Sequence, residues 1–160
     1  MSNRSNFEKN EEFKRISREF NKLEATPVLY GSLGLSANIN HELATDDIDI
    51  LIEDNIFISK LETIHSIMNS LGYMLIDPEE NEFTNGRFKV GIATDGDMNE
   101  FSGIDPKVLQ IKYDGCQYRV LNLEQYLAVY EASSLDGYRK ESHKKDDASK
   151  IKMIKSQLNR

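Results

Sequence analysis

The segment Asp47-Ile48-Asp49-Ile50-Leu51-Ile52 limits this chain more than any other stretch. Side chains on a strand alternate between faces, so Asp47, Asp49 and Leu51 project one way and the three isoleucines the other. The isoleucines require a core on their side. The carboxylates, roughly 6.5–7 Å apart along the strand, share the opposite face. At that spacing they can hold one Mg2+ between them, or two ions bridged by a substrate phosphate. A solvated acidic edge strand carries the same pattern, so the neighbouring sequence has to decide.

Upstream, Val28-Leu29-Tyr30 is a short apolar run that opens into Gly31-Ser32. This reads as a buried strand, a turn and then a short helix over Leu33–Asn40. Backbone N–H groups at such a turn can meet a phosphate. Before it, Phe7, Phe13, Ile16, Phe20 and Leu23 recur mostly at spacings of three and four, predicting an amphipathic helix over Asn6–Leu23. Thr26-Pro27 stops that helix, because a residue preceding proline avoids helical geometry.

Beyond the carboxylates, Asn55 is a candidate N-cap for a helix over Ile56–Leu71, with Gly72 at its C′ position. Tyr73–Ile76 reads as a strand. Asn85-Gly86 signals a hairpin whose second strand carries Phe88, Val90 and Ile92 toward the core. That register leaves Lys89, Gly91 and Ala93 on the cleft side. The polar stretch Asp95–Asp105 reads as a loop. Val108–Tyr113 and Tyr118–Leu121 form a strand pair about Asp114-Gly115, and helices over Leu123–Ala132 and Asp146–Leu158 close the chain.

These elements fit one α/β (α+β) domain over residues 1–160, with a mixed sheet, flanking helices and C-terminal helices. The 160 residues are 39% hydrophobic and 29% charged, as expected of a globular protein. No apolar run approaches the ~20 residues that span a bilayer, and the N-terminal residues lack the apolar core of a secretory signal. The one cysteine, Cys116, cannot form an internal disulfide, which fits a cytoplasmic protein. A net charge of −7 disfavours non-specific nucleic-acid binding and suits a small anionic ligand better than a long phosphate backbone.

Leu29-Tyr30-Gly31-Ser32, fourteen intervening residues and Asp47-Ile48-Asp49-Ile50-Leu51-Ile52 together resemble the signature of the nucleotidyltransferase superfamily. Its small bacterial members include antibiotic nucleotidyltransferases, and the head domain of CCA-adding enzymes shares the core. The resemblance runs from about Pro27 to Leu158. It includes the strand-to-helix step Tyr118–Leu127 and a Lys145-Asp146 pair opening the last helix, although only the first motif is specific. It implies the superfamily's polymerase-beta-like fold, Gly31 and Ser32 as nucleotide-binding residues, and Asp47 and Asp49 as catalytic metal ligands. Up to two Mg2+ ions, an NTP substrate and a small-molecule acceptor are implied with them. Asp46 is expected to point to the opposite face.

Active members carry a third carboxylate on a later strand, and here that position falls on Gly91. Asp95, Asp97 or Glu82 could supply the missing group. Alternatively, Lys89 could sit in the cleft as a phosphate ligand. A lysine that family members place in the helix after Leu123 is also missing, which leaves Lys140, Lys144 or Lys145 as substitutes. Two functions stay open. One is Mg-dependent transfer of a nucleoside monophosphate to a small acceptor. The other is a non-catalytic nucleotide-binding or regulatory, antitoxin-like domain, for which a protein partner is compatible.

His41, His65 and His143 lack zinc-ligand spacing, though His41 could line the cleft. No G-x-S-x-G elbow, Walker A loop or dinucleotide fingerprint occurs.

Overall fold

The computed structural model describes residues 5–39, 43–135 and 141–159, with the side chains of 141–145 excepted. The first helix, α1 (Asn6–Asn21), is capped by Ser5, whose hydroxyl accepts from the Glu8 N–H. Its apolar stripe buries Phe13, Ile16 and Phe20. Strand β1 (Val28–Tyr30) leads directly into a one-and-a-half-turn helix, α2 (Gly31–Ser36). The predicted helix over Leu33–Asn40 therefore starts at the Gly-Ser turn itself. Strand β2 (Ile48–Ile52) follows.

The single helix expected over Ile56–Leu71 is two helices, α3 (Asp54–Ser59) and α4 (Leu61–Ser70), and Glu53 rather than Asn55 precedes the first. The chain leaves helical geometry at Lys60, with φ −127° and ψ 28°. Ile56 of α3 and Ile64 and Met68 of α4 then reach the same core from separate helices. Gly72 takes the left-handed φ of +95° expected of a C′ residue.

Strands β3 (Met74–Asp77), β4 (Glu82–Thr84) and β5 (Lys89–Thr94) form a meander. Between β4 and β5 the Asn85 carboxamide oxygen accepts from the N–H groups of Arg87 and Phe88, fixing the predicted turn. The segment after β5 is not a loop but α5 (Asp95–Ser102). Thr94 caps it by accepting from the Asp97 N–H, Met98 anchors it in the core, and Gly103 ends it at φ +80°.

After a 3₁₀ turn at Pro106–Val108, β6 (Gln110–Tyr113) pairs with β7 (Gln117–Val120). Helix α6 (Leu123–Ser134) opens on a full capping box between Asn122 and Gln125. Helix α7 (Glu141–Leu158) begins earlier than expected, so Lys145-Asp146 lies inside it.

The seven strands make one mixed sheet in the order β3-β4-β5-β2-β1-β7-β6. The β1–β2 pair is antiparallel, while β2–β5 and β1–β7 are parallel. Ile48, Ile50 and Ile52 pack with α1 and α4 on one face, together with Phe83, Val90 and Ile92. On the other face Val28 and Leu51 pack with Met98 of α5, Tyr126, Val129 and Tyr130 of α6 and Ile154 of α7. Asp49 emerges on this second face, where α5, α6 and α7 cover the sheet only in part. No described helix is long and apolar enough to cross a membrane.

Candidate active site

Four residues stand in one row across four adjacent strands. Tyr30 of β1 pairs with Asp49 of β2, Asp49 with Gly91 of β5, and Gly91 with Glu82 of β4. In-register neighbours share a face of the sheet. All four line a cavity of about 640 Å³, together with Gly31, Ser32, Asp46, Glu80, Asp97, Phe101, Tyr130, Ser133 and Lys150 among others.

The Asp49 carboxylate occupies space left by two glycines. A Cβ on Gly31 would stand 2.3 Å from Asp49 Oδ2, and one on Gly91 would stand 3.3 Å from Oδ1. Gly31 also has φ +66°, which a side chain disfavours. Burial pushes the Asp49 carboxyl up to about 7, reinforced by the negative charges of Asp47, Asp46 and Glu82 and opposed by Lys150. Asp47 is shifted upward too, by burial first, with Lys89 opposing. Carboxylates crowded in this way favour a bound cation or a proton.

The approach to the carboxylates is fixed from α1. The Lys9 ammonium is buried and donates to Thr45 O at 3.0 Å, Thr45 Oγ1 at 2.9 Å and Asp46 O at 2.9 Å. The Asn6 amide donates to Leu43 O, and its oxygen accepts from the Thr45 hydroxyl. Ser32 then ties the turn to the carboxylate strand, its hydroxyl accepting the Asp46 N–H at 3.0 Å. Asp46 lies just before β2 and lines the cavity, contrary to the expectation from strand alternation. Alternation governs a residue only once the strand has begun.

The cleft-side register expected for β5 holds. Lys89 lies 3.8 Å from Asp47 Oδ2 and 3.4 Å from Glu82 Oε2, between two acids. Among the third-carboxylate candidates, Glu82 and Asp97 line the cavity. Asp95 stands at the far end of β5, beside Asp54 and Glu53, because β5 runs on from Gly91 through Thr94 alongside β2. Among the described residues, no three His, Cys, Asp or Glu side chains converge closely enough to enclose a metal ion. The side chains of Lys144, Lys145 and His143, and residues His41 and Lys140, lie outside the described residues.

Lys150 lines the cavity, 5.1 Å from the Tyr130 ring, yet sequence reasoning did not single it out. Its position depends on how α7 docks on α6, which spacing alone does not reveal.

The same architecture recurs in solved structures. An antigenic nucleotidyltransferase-like protein from Paracoccidioides brasiliensis superposes with a TM-score of 0.68 at 12% identity, over 96% of this chain and 78% of that one. The antibiotic-resistance factor ANT(2'')-Ia superposes with a TM-score of 0.57 at 13% identity, over 98% of this chain and 93% of that one. The chain shares its fold with these two structures. No protein-family model matches the sequence. At the level of sequence, the chain belongs to one family with the Bacillus subtilis (strain 168) "Uncharacterized protein YnaI". The two are 37% identical over 145 residues, covering 89% of this chain and 93% of that protein.

Proposed function

We propose that the protein transfers a nucleoside monophosphate from an Mg-NTP to the hydroxyl of a small acceptor. The observation that carries this reading is the placement of the Asp49 carboxylate between Gly31 and Gly91 in a cavity large enough for a nucleotide. Crowding by Asp47, Asp46 and Glu82 makes that carboxylate a fit for a divalent cation. Asp49 and Asp47 would hold Mg2+, which would neutralise charge on the triphosphate.

The remaining work falls to the chain's own groups. The Gly31–Ser32 turn holds the triphosphate against the carboxylate strand, and Lys150 offsets its charge from the α7 side. Glu82 supplies the carboxylate that Gly91 lacks. Its strand lies roughly 10 Å from Asp49 on the far side of Gly91, which puts no side chain between them. Glu82 takes the proton of the acceptor hydroxyl as that oxygen bonds to the α-phosphorus. The bond from the α-phosphorus to the bridging oxygen breaks, and pyrophosphate leaves with the electron pair.

A second reading has a specific observation behind it. Lys89 stands between Asp47 and Glu82 as a resident counter-charge, which suits a domain that binds a nucleotide without turning it over. Pyrophosphate release from each of the four Mg-NTPs, measured over a panel of alcohol and amino-alcohol acceptors, separates the two. Release with any acceptor supports transfer. Nucleotide binding without release supports the regulatory domain, and failure of all four to bind at millimolar concentration defeats both.

A further inference from the structure

Lys89 lies two residues before Gly91 on β5, and therefore on the same face of the sheet as Gly91 and its neighbour Asp49. Strand β5 runs between β4 and β2. The Lys89 ammonium lies 3.8 Å from Asp47 Oδ2 on one side and 3.4 Å from Glu82 Oε2 on the other. One compact charge thus serves two carboxylates from either side of its own strand. The charge of Asp47, reinforced by Glu82, holds the ammonium proton more tightly than usual, so Lys89 stays cationic at neutral pH.

This is the place a second divalent cation would need. Gly91 puts no carboxylate beside Asp49 on β5, and the strand of Glu82 lies roughly 10 Å from Asp49. A Mg2+ ion holds its oxygens at about 2.0–2.1 Å, so Asp49 and Glu82 do not readily share one. Asp47 and Glu82 do both reach a single small cation, but that cation is Lys89. A divalent ion between them would have to displace the ammonium or stand against its charge.

We infer that Lys89 holds, as part of the chain, the position of a second divalent cation, so that the cleft takes one metal ion, the one arriving with the triphosphate. This rests on the Mg-nucleotide reading above and fixes the metal count within it. It also gives Glu82 a partner other than a metal ion, which suits that residue's role as proton acceptor.

The test counts Mn2+, a spectroscopic stand-in for Mg2+, by electron paramagnetic resonance, with the protein in excess over each of the four NTPs in turn. The wild type is expected to hold one Mn2+ per bound nucleotide. Lys89→Met removes the charge and keeps the stem, and should bind a second Mn2+ roughly tenfold or more tighter than the wild type does. Lys89→Arg, which keeps the charge, should stay at one. Lys89 is half-exposed and ion pairs of this kind add little stability, so both variants are expected to fold. Two tightly held ions in the wild type overturn the assignment while leaving nucleotide binding intact, and need no variant. A Lys89→Met protein that still holds one ion also overturns it; weaker nucleotide binding in that protein would make Lys89 a phosphate ligand instead. Binding of none of the four Mn-NTPs by the wild type defeats the nucleotide reading itself.

Discussion

The Ser32 hydroxyl accepts the backbone N–H of Asp46 at 3.0 Å, across fourteen residues of chain. This bond joins the Gly-Ser turn to the start of the carboxylate strand, so the turn and Asp49 move as one unit. Ser32→Ala removes a buried acceptor and leaves the Asp46 N–H without it. The expected loss is about 1 kcal/mol of stability by urea denaturation. Affinity for Mg-NTP should fall with it, since turn and strand then separate more easily.

Gly31→Ala should cost more. Alanine at φ +66° is strained by about 1–2 kcal/mol, and its Cβ would stand 2.3 Å from Asp49 Oδ2. A total loss of about 2 kcal/mol or more is expected in urea. Gly86→Ala is the control: its φ is +88°, but no atom lies within 4 Å of the added Cβ, so only the backbone strain applies. A smaller loss at Gly31 than at Gly86 would contradict the close packing of the carboxylate.

Lys9 holds the segment leading into β2 through three hydrogen bonds from a buried ammonium. Lys9→Met keeps the stem and removes the donors, leaving the Thr45 and Asp46 carbonyls unpaired by it. The expected loss is about 2 kcal/mol, and hydrogen exchange should quicken around residues 43–49 before it does in α4.

Burial, with the charges of Asp54 and Glu53, pushes the Asp95 carboxyl up to about 6. The folded state therefore holds this proton more tightly than the unfolded chain, whose carboxylate titrates near 3.8. Its contribution to stability is full below that value and is lost as pH rises through about 6. Asp95→Asn should raise stability at pH 7.5 by about 1 kcal/mol, allowing for solvent screening at this half-exposed site, and by almost nothing near pH 3.5. Thermal melts at the two pH values check both the size and the sign.

Glu82 and Asp97 both line the cavity, but only Glu82 shares the row of Asp49 and Gly91. Glu82→Gln should lower pyrophosphate release by roughly 10²-fold or more, and Asp97→Asn far less. The reverse order would move the base from β4 to α5.

The core strands and their faces were legible because the sequence states them locally. The alternation from Asp47 to Ile52 gave the two sides of β2, and Phe88, Val90 and Ile92 gave the register that sets Gly91 beside Asp49. Helix α5 was harder to see, since Met98 is its one buried residue and the rest is polar. Its signals were Thr94 three residues before Asp97, and Gly103 at the end. The break at Lys60 carries no proline or glycine to announce it. Asp46 was misplaced because it lies two residues before the strand starts at Ile48, where alternation does not yet govern it. The place of Lys150 depends on the docking of α6 against α7, a long-range relationship that no window of sequence contains.

Asp49 is proposed to anchor a metal-dependent nucleotide site. Its most direct test is calorimetric titration of the wild type and of Asp49→Asn with the four Mg-NTPs, repeated with EDTA. The wild type is expected to bind at least one nucleotide only when Mg2+ is present. Asp49→Asn, folded by circular dichroism, should bind that nucleotide at least a hundredfold more weakly. An Asp49→Asn variant that binds Mg-NTP as tightly as the wild type would contradict that role.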